Sequence, residues 1–107
     1  MVCARFRADR ALQGYSGILH GGMIAALLDA AMTHCLFRRS VRAVTADLHV
    51  RFLHPIPCGA LVDLRGWMIA ETPPLYRAKA ELVLKQRVMA WAEATFMRPV
   101  PSGDIRP

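Results

Sequence analysis

The chain has 107 residues, 54% apolar and 21% charged, a balance that excludes a disordered segment and suits one domain. At this length a lone chain buries only a little over ~60% of its unfolded surface, so self-association is expected. The net charge of +6 comes mostly from dispersed arginines and favours an anionic small molecule over nucleic acid, since no RNA- or DNA-binding motif accompanies it.

From Val2 to Ala8 the chain alternates, with Val2, Ala4, Phe6 and Ala8 on one face and Cys3, Arg5 and Arg7 on the other, the period of a first strand. This opening lacks the apolar run and cleavage site of a secretory signal. Cys3, Cys35 and Cys58 show no C-x-x-C spacing, so reduced thiols in a cytoplasmic compartment are expected. The loop Gln13-Gly14-Tyr15-Ser16-Gly17 turns into a helix predicted from about Gly21 to Phe37, ended by Arg38-Arg39-Ser40. Met23 to Met32 is almost wholly Ala, Leu, Ile and Met, apolar around the whole circumference, which predicts a helix buried on most sides. Asp29 interrupts a run already too short to span a membrane.

From Val44 the period becomes two, with Ala46, Leu48, Val50 and Phe52 facing one way and Thr45, Asp47, His49 and Arg51 the other, until His54-Pro55. Ala60 to Ala70 alternates as a third strand, with Val62, Leu64, Met68 and Ala70 on one face, and closes at Thr72-Pro73-Pro74. Tyr76 to Leu84 and Val88 to Phe96 form a hairpin about Gln86-Arg87. Small residues at Ala78, Ala80, Ala90, Ala92 and Ala94 leave room for a closely seated helix. The order β-α-β-β-β-β implies an α+β domain with one mostly antiparallel sheet over residues 1–98, followed by a loose tail over 99–107.

Asp29 is the one formally charged residue between Gly21 and Leu36, and a carboxylate in apolar surroundings needs a partner. Gly21 and Gly22 leave backbone N–H groups uncovered at a helix start, where negative charge is favoured. An oxyanion site followed about two turns later by an acid suits acyl transfer. The same residues also fit a purely structural reading, in which the glycines allow close passage and Asp29 bonds a backbone amide.

His20-Gly21-Gly22, with Asp29 nine positions after the His, resembles the signature of the hotdog-fold acyl-CoA thioesterases of the PaaI type. The likeness extends through Val44-Thr45-Ala46-Asp47-Leu48, Phe52-Leu53-His54-Pro55, Gly59 and Ala90 to Phe96. It implies a hotdog fold, one central helix wrapped by a curved five-stranded antiparallel sheet, with sites at a dimer interface in a dimer or dimer of dimers. Carried over, Gly21 of one subunit is the oxyanion donor, Asp29 of the other is nucleophile or general base, and Thr45 helps to hold water. Gln13, His20 and Gly22 are the expected substrate-binding residues. Relatives commonly have Asn where this chain has Gly14. The implied reaction, hydrolysis of acyl-CoA to free acid and CoA, uses no cofactor.

His20 reads as a brace of the helix start rather than a proton carrier. His34, His49 and His54 make no metal-ligand spacing with it, so no metal is expected. Arg38, Arg51, Arg77 and Lys79 are unranked candidates for CoA phosphates. Trp67, Trp91 and Tyr15 fit an acyl tunnel or ordinary packing. The rival function is a non-catalytic module that binds acyl-CoA or lipid.

Overall fold

A five-stranded antiparallel sheet carries one helix on a single face in the computed structural model, which describes residues 1–8 and 17–99. The elements are β1 (Val2–Arg7), α1 (Gly21–Arg38), β2 (Val44–Phe52), β3 (Leu61–Thr72), β4 (Leu75–Leu84) and β5 (Arg87–Met97). Strand order is β1-β3-β4-β5-β2, so β1 and β2 are the two edges. The expected order of elements is therefore present. Gln13, Gly14, Tyr15 and most of the expected tail lie outside the described residues. No described helix is long and apolar enough to cross a membrane.

The helix sits where the sheet has little side chain. Ala78, Ala80, Ala90, Ala92 and Ala94 are all buried on its inner face, and α1 packs on β3, β4 and β5 there. Gly66 of β3 completes the seat. A Cβ added at Gly66 would lie 3.1 Å from the Ala31 carbonyl oxygen, a backbone atom that cannot rotate away. Larger residues close the ends, with Phe96, Leu28, Met32, Leu36, Ile56, Leu82 and Val62 fully buried.

Two details differ from the sequence reading. Burial of α1 is confined to Ile24, Leu28, Ala31, Met32, Cys35 and Leu36, while Ala26, Ala30, His34 and Phe37 are exposed. The circumference is apolar, yet this chain covers only one stripe of it. Strict alternation also fails at two bulges, where an extra residue reverses which face its neighbours occupy. In β2, Thr45 pairs with Phe96 and Asp47 with Thr95, so Ala46 is the extra residue and Thr45 shares the inner face with buried Phe96. In β3, Met68 pairs with Ala78 but Ala70 with Arg77, which moves Ala70 to the outer face.

Two of the basic candidates lie on the outer face of the sheet. Arg77 pairs with Glu93, and Lys79 lies 4.8 Å from the Trp91 ring centroid, both on the face away from α1. Trp67 stands opposite Lys79 on that same outer face, so neither tryptophan lines the helix side of the sheet. Arg65–Glu81 and Arg5–Asp63 continue the outer pattern of paired charges. Cys35 is buried on α1, and burial, outweighing nearby positive charges, pushes its thiol pKa up.

The close seat makes a measurable demand on Gly66. Gly66→Ala should lower unfolding stability by about 1–3 kcal/mol, the usual cost of overpacking, read as a shift of the denaturant midpoint. An unchanged midpoint would show that the helix is free to rise off the sheet.

Candidate functional site

The helix start is built by a short bridge between two loops. Ile18 pairs with Pro57, Leu19 N donates to Ile56 O at 2.9 Å, and Cys58 N donates to Gly17 O at 2.8 Å. Gly17 has φ +78°, a conformation that admits glycine at little cost and sends the chain into α1. Between this bridge and the end of β2 lies a cleft of about 280 Å³, lined by residues that include Leu19, Gly21, Ile24, Phe52 and His54.

His20 caps the helix. Its Nδ1 accepts from Gly22 N at 2.8 Å, and its carbonyl oxygen accepts from Met23 N and Ile24 N, both at 3.1 Å. The ring proton therefore belongs on Nε2, and the Gly22 N–H is already engaged. This qualifies the expectation that both glycines offer bare donors. Gly21 N–H is the first-turn donor given no acceptor among the described residues.

The two glycines also differ in what they spare. A Cβ at Gly22 would meet the His20 ring at 3.0 Å, displacing the cap, whereas one at Gly21 would touch Phe52 at an ordinary 3.6 Å. Packing within this chain thus accounts for glycine at 22 but not at 21.

Asp29 is half-buried rather than buried, and no charged side chain is buried among the described residues. Thr45 Oγ1 donates to Asp29 Oδ1 at 2.9 Å, across the gap between α1 and the β2 edge. The β2 bulge turns Thr45 toward that carboxylate. Asp29 and Gly21 are not brought together. They lie eight positions apart along the helix, a rise of about 12 Å, and one carbonyl cannot sit within hydrogen-bond reach of both.

The flank around Asp29 is open. β2 is exposed along nearly its whole length, including Val44, Leu48 and Phe52, and it borders the exposed Ala26 and Ala30 side of α1. Gln13, expected to bind substrate, lies outside the described residues. Among the described residues no group of His, Cys, Asp and Glu is arranged to hold a metal. The bulge and the Thr45–Asp29 bond are features that periodicity alone misses; a polar strand residue beside an alanine was the available signal.

The architecture has counterparts among known proteins. Over 65 residues the chain is 35% identical to acyl-coenzyme A thioesterase THEM4 of Bos taurus, a match covering 61% of this chain and 26% of that protein. The chain thus spans about a quarter of the length of the curated relatives it matches. Zebra fish thioesterase superfamily member 2 superposes with a TM-score of 0.85 at 20% identity, covering 91% of this chain and 73% of that one. A hypothetical thioesterase protein from Streptococcus pneumoniae, in a structure with coenzyme A, superposes with a TM-score of 0.87 at 14% identity, covering 91% and 77%. These structures share the hotdog fold with this chain. The sequence pattern of the Thioesterase superfamily matches residues 16–72, and the chain belongs to that superfamily.

Proposed function

We propose that the chain hydrolyses an acyl-CoA thioester in a site that two copies build between them, Gly21 from one and Asp29 with Thr45 from the other. The observation that carries this reading is the separation of the two groups along one helix, about 12 Å, beside an exposed apolar flank. A second copy laid on the β2 edge would cover Leu48, Phe52 and the Ala26–Ala30 side of α1, surfaces a lone chain leaves in water. Acyl-CoA as substrate is supported by the THEM4 relatives and by the coenzyme A in the pneumococcal thioesterase structure.

The chemistry follows from what each group can do. The Gly21 N–H, at the positive end of α1, stabilises the negative charge that develops on the thioester oxygen. Asp29 either takes a proton from the attacking water or attacks the carbonyl itself, and the CoA thiolate leaves. Thr45 donates to one Asp29 oxygen and so orients the carboxylate, leaving the other oxygen for water. His20 holds the first turn in place through Gly22 and moves no proton in this scheme. The same cleft would serve a module that binds acyl-CoA without turning it over, a reading to which Gly14 at the usual Asn position lends support.

Asp29→Asn decides between the two. It keeps size and most hydrogen bonding, so turnover of acyl-CoA should fall roughly 10²–10⁴-fold while binding persists. A folded Asp29→Asn protein as active as wild type would remove Asp29 from the mechanism.

The shared site also ties activity to assembly. Leu48→Glu, on the exposed flank, should shift sedimentation to the monomer and abolish turnover, with the helix and strand circular dichroism retained. A monomer that hydrolyses thioesters at the wild-type rate would sink the two-copy site.

A further inference from the structure

Most of the described basic side chains have partners. Arg5, Arg39, Arg65 and Arg77 face carboxylates, Lys79 lies over Trp91, Arg98 over Tyr76, and Arg7 donates to the Gly59 carbonyl. Arg38, Arg42, Arg51, Lys85 and Arg87 have no carboxylate partner among the described residues. Of these, Arg87 is the one in contact with a residue of the Gly21 cleft, its Nη2 lying 3.3 Å from His54 Nδ1.

That contact defines the chemistry the pair can offer. A guanidinium has only donors, so His54 Nδ1 accepts and the ring proton sits on Nε2. The pair then presents donors alone, Nε2–H and the remaining guanidinium N–H groups. Such a set matches an anion with several acceptor oxygens. The backbone holds the pieces together: Leu53 N and His54 N both donate to Met89 O, at 2.9 and 3.0 Å, so the β4–β5 hairpin runs beside the cleft wall. Its turn carries Lys85 two positions from Arg87.

We propose that His54 and Arg87, with Lys85 on the adjoining turn, form an anion subsite beside the cleft that takes a phosphate of the thioester's carrier. The identity of the ligand rests on the acyl-CoA reading above; the donor set does not. A carboxylate on the acyl group is the other source of such an anion. Arg38, at the far end of α1, about 26 Å from Gly21, is the rival among the unpartnered arginines.

The test compares wild type, Arg87→Glu and Arg38→Glu on an acyl-CoA and on the same acyl group carried by N-acetylcysteamine, which has no phosphate, with CoA binding followed by calorimetry. Arg87→Glu should raise KM for acyl-CoA about 10-fold or more, the loss of one charge-assisted hydrogen bond, with kcat retained. It should weaken CoA binding by a similar factor and leave the phosphate-free thioester unchanged, while Arg38→Glu alters neither. An equal loss on both substrates, a shift that follows Arg38→Glu instead, or CoA affinity unaffected by Arg87→Glu would each overturn the subsite, as would wild type that binds no CoA. Arg87-dependent CoA binding without hydrolysis overturns the thioesterase reading and keeps the subsite. Hydrolysis with a KM indifferent to Arg87 does the reverse.

Discussion

The close seating of α1 on a face made of alanine and glycine is the contact on which the other geometry depends. Gly66 lets the Ala31 backbone approach, and the five inner-face alanines keep the rest of the helix near the sheet. Only at that height does Gly21 stand beside the Phe52 ring and does Asp29 come within 2.9 Å of Thr45. Lifting the helix by the thickness of one methyl group would lengthen the Thr45–Asp29 contact beyond hydrogen-bond range. Packing and the candidate chemistry are therefore linked through backbone proximity, and not through any large side chain.

Much of this was legible in the residues. Alternation located the strands, the Ala, Leu and Met run located α1, and the alanine positions indicated a tight helix seat. Gly66 was passed over because a glycine within a strand pattern carries no periodicity; its meaning lies in a contact with a residue far away in the chain. Alternation extended through Ala46 sets Thr45 on the face opposite Leu48, Val50 and Phe52, whereas the bulge puts it on theirs. A bulge is invisible when its extra residue is small and apolar, since either register then buries something acceptable.

The helix teaches a similar lesson. Its uniform apolarity predicts burial on most sides, yet one sheet can cover only one side of a helix. Ala26, Ala30 and Phe37 remain exposed, as do Val44, Leu48 and Phe52 on the adjoining edge. The apolar residues run around the whole helix, whereas this chain buries only one stripe of them. An apolar face larger than the chain can bury is the physical content of the expected self-association. Asp29 lies at the border between the two, half-buried and held by Thr45, where a carboxylate can remain hydrated until another surface approaches.

The first turn of α1 shows how the chain divides its donors. Every helix begins with N–H groups that have no partner in the helix, and most proteins satisfy them with a cap or water. Here His20 serves two of them, Gly22 through its ring and Met23 through its carbonyl, which also accepts the first regular helical bond from Ile24. Protonating Nδ1 would set a donor against the Gly22 N–H, so the cap requires that nitrogen to stay an acceptor and argues against a proton-carrying role. Gly21 is left with a donor facing a cleft and no side chain to cover it, although alanine would fit the space and helix propensity favours it by up to about 1 kcal/mol. Under the proposed reaction, a glycine where neither packing nor propensity asks for one would serve a ligand that approaches the backbone itself.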